Sequence, residues 1–222
     1  MKLLGSIVAA LGVFFLSMSV AYAAQQTAHQ TVEQTTQRVM TLIKEANQYF
    51  DQDPGRFYRE IEQILDEVVD FSSFSRGVMG AYATKEYYKQ LGSDEAKQEF
   101  REQVKLFSKV FRAGLVQTYA KGLLAFGGIR IEVVPPEQAS PKSSITVMQK
   151  IYGSAEKPYE VLYTMRKNKA GAWKMRNVTI EAVNLGRVYQ GQFSSAAKQY
   201  GGDLNKVIDN WTITPVENKS AE

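Results

Sequence analysis

An α+β fold is predicted by three features of the chain. Apolar residues at helical spacing fill its first half, period-two alternation fills its middle, and helical spacing returns near its end. The alternating segments follow one another over short links, so they read as a four-stranded antiparallel meander with helices packed on one face. No internal repeat or long low-complexity tract interrupts this order.

The chain opens on a targeting segment. Lys2 gives a short positive region, residues 3–20 are apolar apart from small Gly and Ser, and Ala21-Tyr22-Ala23 has the small-x-small pattern that signal peptidase reads. Polar Ala24-Gln25-Gln26-Thr27 follows at once. Residues 1–23 are therefore expected to be a signal peptide, 24–213 a single domain and 214–222 a polar tail. A run of about 18 apolar residues can just span a bilayer, but an anchor has no use for a cleavage site. A lipoprotein is excluded, because there is no cysteine to acylate. Cleavage leaves 199 of the 222 residues, enough for one domain with a real core. It removes only Lys2 from 27 basic and 23 acidic residues, so the net charge falls from +4 to +3. So mild an excess does not argue for nucleic acid. An exported chain without cysteine is held by packing alone, and thiol chemistry and thiolate metal sites are ruled out.

The elements follow in order. Val32, Val39, Ile43, Ala46 and Phe50 recur at helical spacing over residues 31–50. Asp53-Pro54 opens a second helix, Asp as N-cap and Pro in the first turn, with Phe57, Ile61, Ile64, Leu65 and Val68 as its apolar face. A shorter helix follows Asp70 and reaches Gly77 or Gly80. The longest starts at Ser93, with Asp94 and Glu95 in its first turn, and runs to residue 121. Phe100, Val104, Phe107, Phe111 and Leu115 line one face with Tyr119 at its margin, whereas Leu106, Val110 and Val116 lie outside the stripe. That helix therefore has neighbours on more than one side. Strands are expected over 129–133, 144–152, 159–167 and 173–182, with a loop from Pro135-Pro136 to Pro141 and a turn at Lys169-Ala170-Gly171. Two helices, 184–200 and 203–211, close the domain.

Enzymatic chemistry leaves no trace in this pattern. The one histidine, His29, stands before the first predicted helix, in the leader of the mature chain. No HExxH, paired CxxC, GxSxG, P-loop or GxGxxG occurs, and Gly127-Gly128 reads as a bend at a strand start. Glu60, Glu62, Asp66, Glu67 and Asp70 sit on the polar side of an amphipathic helix, where a solvated face is the simple reading. Lys97, Arg101, Lys105, Lys109 and Arg112 form a basic flank along the long helix. Such side chains can merely keep an apolar seam soluble, or they can meet anionic headgroups or an acidic partner. Phe100, Phe107, Phe111, Phe126, Tyr159, Tyr163 and Trp173 either fill a solid core or line an apolar pocket. The residues alone leave both open, along with an exported enzyme built on buried carboxylates and a solid-core protein-interaction module.

Three segments together carry a resemblance. Residues 69–82, Val-Asp-Phe through Met79-Gly80-Ala81-Tyr82, are similar to a V-D-F…L-G-x-Y/W signature. Residues 100–119, ending Leu115-Val116-Gln117-Thr118-Tyr119, are similar to an F…F…L-x-x-T-Y helix. Trp173-Lys174 and residues 178–193 are similar to a W-K…V…G-V-S-L…N-Y-R-x-Q-F ending. The chain thus resembles the MlaC family, the periplasmic phospholipid-binding component of the lipid-asymmetry, or toluene-tolerance, transport system of Gram-negative bacteria. It departs from the pattern at Met79 for Leu, Asn184 for Ser, and Val188-Tyr189-Gln190 for Asn-Tyr-Arg.

The resemblance implies an NTF2-like fold, a curved sheet with helices on its concave face and added helices. It implies a periplasmic carrier, not an enzyme, needing no cofactor or metal and binding no nucleic acid. Such a carrier works as a monomer between an outer-membrane lipoprotein–porin complex and an inner-membrane ABC transporter. Its acyl chains lie between sheet and helices. On this sequence the expected lipid contacts are Phe107, Phe111, Leu115 and Tyr119 from the long helix. From the strands, by alternation, they are Ile145, Val147, Ile151, Val161, Tyr163 and Met165. Lys105, Lys109 and Arg112 are the expected docking residues for partners or headgroups.

Overall fold

The computed structural model describes residues 26–125, 130–136, 142–153 and 156–214. The expected signal peptide, Phe126, the expected bend at Gly127-Gly128, residue 129 of the expected first strand, residues 137–141 of the expected proline loop and the tail beyond Thr214 lie outside the described residues.

Seven α-helices are described: α1 (Ala28–Ala46), α2 (Pro54–Val68), α3 (Phe71–Met79), α4 (Lys85–Gln90), α5 (Asp94–Ala125), α6 (Leu185–Gln199) and α7 (Leu204–Asp209). Each begins at a short polar side chain that accepts a hydrogen bond from a free backbone N–H of the first turn. Asp53 accepts from Arg56, Asp70 from Ser73, Thr84 from Tyr87, Ser93 from Ala96, Asn184 from Arg187 and Asp203 from Lys206. Such a cap contributes about 0.5–2 kcal/mol. Thr27 and Gln30 form a reciprocal capping box at α1. This starts the helix at Ala28, three residues before the sequence reading, and puts His29 in its first turn instead of a leader. Burial lowers the His29 pKa.

The strands β1 (Arg130–Val133), β2 (Ser144–Tyr152), β3 (Tyr159–Lys167), β4 (Trp173–Ile180) and β5 (Val183–Asn184) form one antiparallel sheet in chain order. The four-stranded expectation is corrected to five. Glu181 and Ala182 both adopt left-handed backbone angles (φ 47° and 66°), so the chain reverses in two residues and pairs Ile180 with Val183. The register also slips between Thr164 and Met165 of β3, leaving Arg176 of β4 as an extra residue. At this bulge Val69 bridges to Met175, the Asp70 N–H donates to the Met175 carbonyl, and the Asp70 carboxylate pairs with Arg176 at 3.0 Å. Asp70 thus caps α3 and fastens it to the sheet.

One face of the sheet is largely apolar and, apart from exposed Tyr159 at its end, buried or half-buried. Ile145, Val147, Gln149 and Ile151 of β2 stand beside Met165, Tyr163, Val161 and Tyr159 of β3, and Met175, Val178 and Ile180 of β4 continue the row. The other face carries exposed Thr146, Glu160 and Arg166. Helix α1 approaches β1, β2 and β4, while α2, α3 and α6 meet β4. The core divides in two. A larger cluster joins the sheet to α3, α6, α7, the start of α1 and the first half of α5; a smaller one joins the end of α1, α2 and Val116 and Ala120 of α5. At 1.5 Å per residue α5 is about 48 Å long, and it serves both clusters. That is why its apolar residues spill beyond one stripe. The chain end lies back on this helix. Trp211 packs edge-on against Phe107, and Ile213 sits so close to Gly114 that a Cβ there would stand 2.5 Å from it.

Candidate functional site

The six strand residues chosen by alternation share one face. Ile145 is opposite Met165 and Val147 is opposite Tyr163, while Val161 pairs across both of its edges, with Gln149 and Ile180. Val147 and Met165 are fully buried in the larger cluster. Ile145 and Tyr163 are half-buried against it, and Ile151 is half-buried near the end of β2. Val161 is buried as well, yet belongs to neither packed cluster.

A polar group interrupts this face. Gln149 is buried between Val147 and Ile151, where an unpaired amide is costly. Its nitrogen donates to the Thr36 hydroxyl of α1 at 2.6 Å, and its oxygen accepts from the Tyr163 hydroxyl at 2.8 Å. Burial pushes the Tyr163 phenol pKa up, so it stays a neutral donor. The Thr36–Gln149–Tyr163 chain is a site feature that sequence reasoning did not single out. The signal was there, as the one amide in an otherwise apolar alternation.

The four α5 candidates separate into two pairs. Phe107 and Phe111 are fully buried and stack on each other at 5.7 Å. Phe193 meets Phe107 at 4.9 Å, and Tyr189 and Phe74 meet Phe111 at 5.6 and 5.2 Å. Their surroundings are thus rings from α3 and α6 and the Trp211 indole. Leu115 and Tyr119, one and two turns on, are half-buried against the same cluster. The Tyr119 hydroxyl lies 2.5 Å from that of fully buried Tyr189. Burial, then the Tyr119 hydrogen bond, raises the Tyr189 pKa.

The basic flank is not uniform. Lys105 is largely exposed and pairs with Glu102 of its own helix at 2.8 Å. Lys109 is exposed and, among the described residues, has no ion-pair partner. Arg112 is committed to α2, 3.2 Å from Glu62 and 2.8 Å from Asp66, with only 31 % of its side chain exposed. The acidic cluster is partnered throughout: Arg38 holds Glu67 by two hydrogen bonds, and Arg56 and Tyr49 hold Glu60. No group of three or more metal-ligating side chains occurs among the described residues. No described helix is long and apolar enough to cross a membrane.

Two grooves open on α5. One, of about 760 Å³, lies between α3, α4 and α5 and is floored by Ala83, Tyr88, Phe100 and Val104. The other, of about 570 Å³, surrounds exposed Leu106 between Lys105, Lys109 and the acids Glu99 and Glu102.

The signature segments meet in space. Gly80 ends α3 at φ +55°, and a Cβ there would stand 2.8 Å from the Gln190 side-chain nitrogen, which donates to the Gly77 carbonyl at 3.0 Å. The departing residue, Gln190, therefore ties α6 to the end of α3.

In sequence and in fold the chain is similar to known proteins. The model of the MlaC protein family matches residues 33–212. The toluene tolerance protein ttg2D of Pseudomonas putida is 31% identical over 198 residues, covering 89% of this chain and 86% of its own. The phospholipid-binding protein of Ralstonia solanacearum, solved in complex with a phospholipid, has the same fold. It superposes with a TM-score of 0.67 at 20% identity, over 82% of this chain and 93% of its own. The chain belongs to the MlaC family.

Proposed function

We propose that this MlaC-family chain is a periplasmic, non-enzymatic carrier that holds a diacyl phospholipid against the apolar face of its sheet. It ferries the lipid as a monomer between an outer-membrane lipoprotein–porin complex and an inner-membrane ABC transporter, after a leader ending at Ala23 is removed. The observation that carries this reading is the face itself. Ile145, Val147, Ile151, Val161, Tyr163 and Met165 line up under helices, and α1 is tied to that face through a hydrogen bond from Gln149 to Thr36. The phospholipid held by the Ralstonia protein supports the choice of cargo. In this account the sheet and its helices form an NTF2-like cone. The acyl chains pass between them toward Leu115 and Tyr119, while Phe107 and Phe111 form the apolar wall behind.

Magnitudes constrain the mechanism. Two acyl tails hold about 30 methylenes at roughly 0.8 kcal/mol each, on the order of 20 kcal/mol against loss to water. A bilayer offers the tails a similar gain, so transfer to a membrane or partner is near balance. The apolar face therefore retains lipid without setting direction, which comes from the partners and their energy supply. Docking on those partners uses the α5 flank: Lys105 and Lys109 face solvent, and Arg112 braces the flank on α2. Organic extraction of natively purified protein, followed by lipid mass spectrometry, tests the reading. Diacyl phospholipid near one per chain is expected; its absence from protein purified without detergent overturns the reading.

A further inference from the structure

We infer that the groove between α3, α4 and α5 is a docking site for an acidic, amphipathic segment of a partner protein. Its floor is apolar, built from Phe100 and Val104 of α5, Tyr88 of α4 and Ala83. Its rim carries Arg76 of α3, Lys85 and Lys89 of α4, and Arg101 and Lys105 of α5, and no acidic residue lines it. These cations are hardly compensated. Among the described residues Arg76, Lys85 and Lys89 have no ion-pair partner, and only Lys105 has one, Glu102. Arg101 donates to the Tyr88 hydroxyl at 2.5 Å and to the Gln98 amide oxygen at 2.8 Å, neutral groups that fix the guanidinium without cancelling its charge.

The shape and the charge count select the occupant. A planar bilayer meets convex surfaces, and it cannot press on a floor where Phe100 and Val104 are buried between three helices. A single-chain amphiphile brings one anionic headgroup, whereas the rim spreads five cations over three walls. A protein segment with apolar residues on one side and several carboxylates on the other meets both features at once. This site is separate from the sheet face and does not depend on what that face carries.

The test uses the full mature protein and a fluorescein-labelled peptide alternating glutamate with leucine. A lysine–leucine peptide, phosphatidylglycerol vesicles and monomeric lysophosphatidylglycerol serve as comparisons. The acidic peptide is expected to bind, more weakly as salt rises. The combined Arg76→Gln, Lys85→Gln, Lys89→Gln variant should bind it about tenfold more weakly or worse, through loss of charge complementarity. Ser72→Trp, which fills the groove from its exposed wall, should act likewise. Melting temperature and co-purified phospholipid should match the parent in both variants, so a failure of the cargo reading is seen separately. Equal affinity in parent and variants overturns the inference. So does vesicle binding that falls in both groove variants more than peptide binding does, or displacement of the peptide by lysophosphatidylglycerol.

Discussion

The side-chain nitrogen of Gln149 donates across 2.6 Å to the hydroxyl of Thr36, so the buried face of the sheet is tied to α1 by a polar bond. Thr36→Val keeps the shape of the side chain and removes the acceptor. Leaving a buried amide donor unpaired costs about 1–3 kcal/mol, so thermal denaturation should show a lower melting temperature. Because α1 covers the proposed lipid face, exchange of bound phospholipid with vesicles should also speed up. Unchanged exchange in a destabilised variant would mean that α1 does not gate the face.

Asp70 gives a pH signature. Burial on its own raises its pKa, but the Ser73 side-chain and backbone hydrogen bonds and the Arg176 charge outweigh it and hold the carboxyl below its usual value. A depressed folded pKa contributes stability above the unfolded value, about 3.9, and loses it as pH falls through the lower folded value. Asp70→Asn keeps a good helix cap but removes the charge facing Arg176. The variant should melt below the parent at neutral pH, with the gap closing in acid. A gap independent of pH would show that the ion pair contributes nothing.

Charge reversal should divide the α5 flank. Lys105→Glu with Lys109→Glu should leave the melting temperature nearly unchanged, since surface pairs contribute about 0–1 kcal/mol, and should slow lipid exchange with anionic vesicles at low salt. Arg112→Glu should instead destabilise, because it faces a new carboxylate toward Glu62 and Asp66. Equal melting temperatures for the two variants would show that the α2 contact is idle.

Much of the fold was legible because helix starts announce themselves chemically. Asp53, Asp70, Ser93, Asn184 and Asp203 are all caps in the structure. Helix α4 is six residues long, too short to show apolar periodicity, and was not read. The fifth strand was hidden because its turn uses Glu181 and Ala182, residues without the Asn-Gly signal of such turns. Alternation placed Ile145 through Met165 on one face, since a strand has only two. A helix stripe names a face but not its neighbour, so nothing in the Phe107–Phe111 spacing foretold Phe193 and Tyr189 against it. The α3–α4–α5 groove draws on three separate segments and could not be seen along the chain.

The central claim, that acyl chains lie on the covered face of the sheet, is tested by placing one bulky residue on either side of it. Val147 is a poor probe. It is fully buried in the larger cluster, so the bulkier side chain of Val147→Trp presses on protein neighbours as well as on lipid, and a lipid loss there is not specific. Val161 is buried but outside both clusters, and the next residue, Leu162, points to the opposite face. The measurement is phospholipid per chain in natively purified Val161→Trp and Leu162→Trp, with stability compared after delipidation because bound lipid itself stabilises the fold. The account predicts marked lipid loss in Val161→Trp and a parental content in Leu162→Trp, both folded. Equal lipid content in the two variants would contradict it.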